Sequence, residues 1–193
     1  MQPRLAEKLL KQYSRQFRSL AVVGPRQSGK TTLVKKVFPS KPYVSLEDPD
    51  ERLFASSDPK AFLARFKNGA ILDEVQRAPE LFSYLQGILD NTKKDGLFIL
   101  TGSNNFLLQQ SVSQSLAGRI GYLDLLPLCY KEILQFKKKE LSTRELIWKG
   151  GYPELYDKNR QPGTWYPPYI RTYIERDVKQ ISNIGNSLIF NRF

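Results

Sequence analysis

Apolar positions along the first 126 residues come in two alternating patterns. Short apolar runs, five residues or fewer at their core, read as strands. Between them, apolar residues recur at helical spacing. The run SLAVV at Ser19–Val23 predicts a buried strand ended by Gly24-Pro25. Residues 31–38 then read as a helix, stopped by Pro39. Strands follow at 43–46, 70–72, 97–100 and 120–126. Helices are predicted at 59–66, with Ala61, Phe62 and Phe66 on one side, and at 80–89, with Leu81, Leu85, Ile88 and Leu89 together. A further helix is predicted at 106–116. Strands alternating with helices predict an α/β fold with a parallel sheet flanked by helices.

The pattern changes after Pro127. Strand signals fade, and helices are predicted at 130–136, 143–149 and 169–181, with the aromatic and proline-rich stretch 162–168 as a connector. The expected division is a core at residues 1–126 and a small helical region at 127–193. The final stretch, 186–193, begins an apolar pattern at Leu188, Ile189 and Phe193 and stops. So short a helix is marginal alone, which predicts a chain that is part of something longer.

Composition narrows the chemistry. No apolar run is long enough to span a bilayer, and the N-terminus lacks the apolar stretch of a signal peptide. The expectation is a cytoplasmic protein without a membrane partner. The single cysteine, Cys129, suits a reducing compartment. With 0 His, imidazole catalysis and His-ligated metals are excluded. The net charge of +11 favours anionic substrates or polyanionic partners.

Gly24-Pro25-Arg26-Gln27-Ser28-Gly29-Lys30-Thr31 fits G-x-x-x-x-G-K-[ST] in full, between a strand and a helix. Backbone N–H groups of such a loop, with the adjoining helix N-terminus, cradle phosphates. Lys30 is placed to reach the β- and γ-phosphates, Thr31 to ligate Mg²⁺, and Thr32 follows on the same turn. Arg26 and Gln27 depart from the small residues common in such loops, and their side chains are expected to point away from the phosphates. The run Ala70-Ile71-Leu72-Asp73-Glu74 is an apolar strand ending in two acids. Asp73 is the candidate Mg²⁺ residue. In a chain without histidine, Glu74 is the natural general base for an attacking water. It also argues against a small-molecule kinase, which must suppress that attack. Ser103 and Asn104, just past the next strand, are placed to bond the water or γ-phosphate, or to cap a helix.

GPRQSGKTT, ILDEVQ, LTGSN, SLAGR, GGYPE and YIERDV occur in this order. Together they resemble a family of prokaryotic AAA-type ATP-binding proteins related to the STAND and archaeal ATPase groups. The resemblance implies a P-loop NTPase sheet of the ASCE type, with an extra strand between the phosphate-loop strand and the Asp-Glu strand. It also implies ATP with Mg²⁺ and a further C-terminal domain of unknown function. By the same resemblance, Arg119 would sense or complete the γ-phosphate site; the alternative is a salt bridge. Arg176, flanked by Glu175 and Asp177, reads as a lid arginine or, better, as a structural ion pair. Gly151-Tyr152-Pro153 resembles a nucleotide-contacting G-x-P element or is a plain turn.

Arg4, Lys8, Lys11, Arg15 and Arg18 recur at steps of three and four, opposite Leu5, Leu9, Leu10, Tyr13 and Phe17. This predicts a basic amphipathic helix that packs its apolar side inward. Its charged face, with the Lys137-Lys138-Lys139 cluster, allows at most weak, sequence-independent nucleic-acid contact. The leading functional expectation is an ATPase whose turnover drives or times a conformational change. The rivals are a nucleotide-dependent switch with little hydrolysis and a DNA-associated regulator. A homo-oligomer is compatible with either class, and the sequence names no protein partner.

Overall fold

The computed structural model describes residues 4–103, 116–137 and 141–174. Asn104, Arg176, Lys138, Lys139, the predicted helix at 106–116 apart from Leu116, and the stretch 186–193 lie outside the described residues. The chain forms two compact units that meet in sequence at Leu126 and Pro127.

The first unit is built on a five-stranded parallel sheet: β1 (Ser19–Val23), β2 (Tyr43–Ser45), β3 (Ile71–Asp73), β4 (Phe98–Gly102) and β5 (Ile120–Asp124). Their order across the sheet is β2-β3-β4-β1-β5. Strand β4 thus lies between β1, which feeds the phosphate loop, and β3, which carries the acid pair. Every residue of β1, β3 and β4 is buried, as expected where helices cover both faces of a parallel sheet. Alternate residues serve opposite cores. Ala21, Val23, Leu72, Phe98 and Leu100 pack with Phe62, Phe82 and Leu85 on one face. Leu20, Val22, Ile71, Ile99 and Leu123 pack with Leu10, Leu33 and Val34 on the other. This is the two-residue period of a pleated strand.

Helices α1 (Ala6–Tyr13), α2 (Lys30–Val37), α3 (Pro49–Ser57), α4 (Pro59–Ala64) and α5 (Leu81–Asp90) surround that sheet. The sequence pattern missed α3. Its start is set by Asp48, whose carboxylate accepts from the N–H groups of Asp50 and Glu51, with Pro49 in the first turn. Asp48-Pro49-Asp50-Glu51 is a helix-start signal, but the apolar residues behind it are too few to show a stripe.

Two expectations about α1 are corrected. It is shorter than the basic periodicity suggested, and the residues beyond its ends turn elsewhere. Arg4 is buried, and Arg18 donates to the Leu89 carbonyl at 2.8 Å. Only Lys8, Lys11 and Arg15 of the five are exposed, and so are Leu5 and Leu9, which were expected to pack.

The second unit contains α6 (Tyr130–Lys137), α7 (Thr143–Lys149), α8 (Pro153–Asp157) and α9 (Pro162–Tyr169), followed by a turn of π-helix at Ile170–Ile174. The predicted connector is therefore helical, with Pro162 in its first turn and Pro167 and Pro168 inside it. Its aromatic residues hold it. Trp165 stacks on Tyr169 at 4.8 Å, and Tyr152 packs against both rings. Gly151 accepts a hydrogen bond from the Leu128 N–H at 2.7 Å, and a side chain there would strike the Leu128 carbonyl. Gly151-Tyr152-Pro153 thus has a structural role within this unit.

Candidate nucleotide site

The loop at 24–31 leaves the carboxyl end of β1 and runs into α2. Gly24 has φ +142°, and a Cβ there would stand 2.3 Å from the Leu125 carbonyl oxygen just past β5. Only glycine fits. Gln27 and Gly29 also adopt left-handed backbone, with φ +58° and +94°. These angles close the loop around its own interior. Ser28 is fully buried, and its hydroxyl oxygen has no hydrogen-bond partner among the described residues. A buried hydroxyl without a protein partner leaves one hydrogen-bonding group of the loop still to be satisfied. Gln27 and Thr32 are exposed; Pro25, Arg26 and Gly29 are half-buried.

Lys30 is 5% exposed, and its Nζ donates to the carbonyls of Gly24 and Pro25, each at 2.9 Å. Burial lowers its pKa below the ordinary 10.5. Glu74 and Asp73 pull the other way, and Arg26 repels it.

The strand ends bring the acids beneath the loop. The Thr31 hydroxyl donates to the Asp73 carboxylate, 3.0 and 3.1 Å from its two oxygens. Two further hydroxyls converge on the same group: Tyr43 donates at 2.7 Å, and Thr101 donates to Oδ1. The Tyr43 phenol is pushed up to about 12 by burial and by its place against Asp73. Glu74 follows in left-handed backbone, φ +54°. Its Oε2 accepts from the Ser103 hydroxyl at 2.8 Å and from the Gln76 amide.

The structure therefore gathers Lys30, Thr31, Asp73, Glu74 and Ser103 at the carboxyl edge of the sheet. Arg119 is not among them. It precedes β5 at the amino edge, where its carbonyl accepts from the Ser19 N–H. Its guanidinium forms an ion pair with Asp90 at the end of α5. That hydrogen bond, chiefly, holds the Asp90 carboxyl below its ordinary 3.8. A residue one strand length from the loop, facing a carboxylate, does not complete a phosphate site in its own chain. Within its own chain Arg119 takes the salt-bridge alternative.

Tyr43, Thr101 and Gln76 were not singled out in the sequence. Thr101 was findable, as a polar residue closing an apolar strand toward the loop. Tyr43 and Gln76 carry no local signal.

Residues 16–134 match the AAA domain family. The chain belongs to that family. Residues 140–193 match a second family, a domain of unknown function. The chain is 32% identical over 165 residues to an uncharacterized protein of Mycobacterium tuberculosis, covering 83% of this chain and 36% of the relative. It is 27% identical over 204 residues to an uncharacterized protein of Methanocaldococcus jannaschii, covering 87% of this chain and 45% of that one. The chain thus spans less than half the length of these curated relatives. Among solved structures, the Walker-type ATPase of Pyrococcus abyssi shares the fold. The TM-score is 0.57 at 17% identity, with 100% of this chain and 74% of that chain covered. The AAA domain here is a P-loop NTPase fold, one that supports nucleotide binding. Among the described residues, no helix is long and apolar enough to cross a membrane.

Proposed function

We propose that this chain binds ATP with Mg²⁺ at Gly24–Thr31 and hydrolyses it, the turnover driving or timing a conformational change. One observation carries the reading: the Thr31 hydroxyl and the Asp73 carboxylate meet beneath the loop while Glu74 stands next to them, held by Ser103. The donors that would hold Mg²⁺ are Thr31 Oγ1 and the Asp73 carboxylate, hard oxygens suited to that ion. Mg²⁺ would supply charge neutralisation at the β- and γ-phosphate oxygens.

The chain's own residues do the rest. The loop amides orient the phosphates. Lys30 exchanges its bonds to Gly24 and Pro25 for phosphate oxygens, and its charge opposes the negative charge that builds there. Glu74 Oε2 accepts a proton from the attacking water, and Ser103 fixes the carboxylate for that transfer.

The test compares wild type, Lys30→Ala and Glu74→Gln. Wild type should gain about 2.7 kcal/mol of stability at a hundredfold excess of nucleotide over Kd. Lys30→Ala should lose most of that gain. No gain for wild type in millimolar ATP and Mg²⁺ would refute the reading. Binding without turnover above the Glu74→Gln background would favour the switch reading.

A weak nucleic-acid contact through the N-terminal helix would rest on Lys8, Lys11 and Arg15 alone, a smaller surface than the sequence suggested. Any homo-oligomer and any cytoplasmic location belong to this proposal as well.

A further inference from the structure

Arg4 is 8% exposed, at the far N-terminal end of the described chain, and it touches the phosphate loop. Its Nη1 donates to the Ser28 carbonyl at 2.8 Å, and its Nη2 donates to the Leu126 carbonyl at 2.7 Å. These two carbonyls are far apart in sequence. One lies inside the loop, and the other belongs to the last residue of the first unit. The arginine itself is fixed. Its N–H donates to Glu7 Oε1 at 2.9 Å, its carbonyl accepts from the Glu7 N–H at 3.0 Å, and Glu7 forms an ion pair with Lys36 on α2.

The consequence follows from peptide geometry. In a trans peptide the C=O and the next N–H point in opposite directions. With the Ser28 carbonyl turned to Arg4, the Gly29 N–H is turned to the side away from Arg4. That N–H lies immediately before Lys30, at the helix start where an anion is drawn. The forked guanidinium suits two carbonyls at once, which a lysine ammonium on a single stem does not reproduce.

We propose that Arg4 is a positioning residue: it sets the Ser28–Gly29 peptide in its anion-accepting orientation and ties that orientation to the Leu126 end of the unit. The loop and the point where the chain leaves this unit then behave as one element, and a change at either biases the other. The effect on nucleotide rests on the ATP reading above; the positioning of the loop does not.

Hydrogen exchange on the nucleotide-free full chain tests the positioning, and ATP titration tests the coupling. In Arg4→Ala, exchange at the bonded amides around the two carbonyls, Ser28 and Leu33 at the loop and Leu125 beside Leu126, should speed up about tenfold, the scale of one net hydrogen bond. ATP affinity should fall by a similar factor, while amides of β3 and β4 keep their rates. Arg4→Lys should restore only part of the protection. Unchanged loop exchange in Arg4→Ala overturns the proposal. If Arg4→Ala loosens the whole sheet, Arg4→Lys decides: native β3 and β4 rates with a faster loop support the proposal, and a native loop overturns it. If wild type fails to bind ATP yet Arg4→Ala still frees the loop, the ATP reading falls and the positioning role stands.

Discussion

Glu74 leaves β3 in left-handed backbone, φ +54°, a conformation that costs a non-glycine residue of order 1 kcal/mol or more. The turn carries its carboxylate toward Ser103 rather than along the strand. Glu74→Gln keeps the shape and loses the base, so steady-state phosphate release should slow by roughly 10²–10⁴ with ATP affinity retained. Tyr43→Phe probes the other acid. It removes one of the three hydroxyls that donate to Asp73. A hydrogen bond to a charged group contributes about 1.5 kcal/mol or more, so urea unfolding should show a loss on that scale. Lys30, Thr31, Asp73 and Glu74 were legible because each sits in a contiguous run whose chemistry depends on neighbours in sequence. Tyr43 was not, because it reaches Asp73 across strand register, Tyr43 beside Ile71 and Ser45 beside Asp73. The place of Arg119 at the amino edge, paired with Asp90, was not legible because order along the chain does not say which edge of the sheet a residue meets.

Secondary elements show the same division. All five strands lie where apolar runs predicted them, and β1, β3 and β4, buried on both faces, read as continuous apolar segments. The helix α9 hides behind its prolines, since aromatic packing rather than propensity maintains it. Helix α3 depends on its cap: Asp48→Ala should cost about 1 kcal/mol, readable as a lower melting temperature with ATP binding intact. The joint between β1 and α2 is less forgiving. In Gly24→Ala the new methyl would press on the Leu125 carbonyl in a backbone conformation that alanine resists. Loss of ATP binding is expected, together with about 2 kcal/mol of stability; equal binding in calorimetry would contradict that close approach.

At the scale of the whole molecule, acid should erode stability through a small set of carboxylates. The Asp90 carboxyl is lowered chiefly by the Arg119 hydrogen bond. Burial pushes Glu7 and Glu154 up. Hydrogen bonds from Lys36 and the Arg4 amide in the one case, and from Lys158 and Trp165 in the other, more than offset it, leaving both below the ordinary 4.5. A lowered carboxyl stabilises the folded state above its unfolded pKa, and that contribution fades as pH falls through the folded value. Melting temperature should therefore hold steady near neutrality and decline below about pH 4.5. Adding salt should weaken these exposed pairs further.

The sheet order also sets a schedule for synthesis. Strand β1 is an interior strand, yet its neighbours β4 and β5 are made long after it; Ser19 and the residue its hydroxyl bonds, Phe98, lie 79 positions apart. At about 5–20 residues per second, a ribosome leaves SLAVV without either neighbour for roughly 4–16 seconds. During that interval its unpaired backbone and apolar side chains are available to chaperones or to other nascent chains. Nascent chains arrested before β4 should bind chaperone, and those arrested well after β5 should release it.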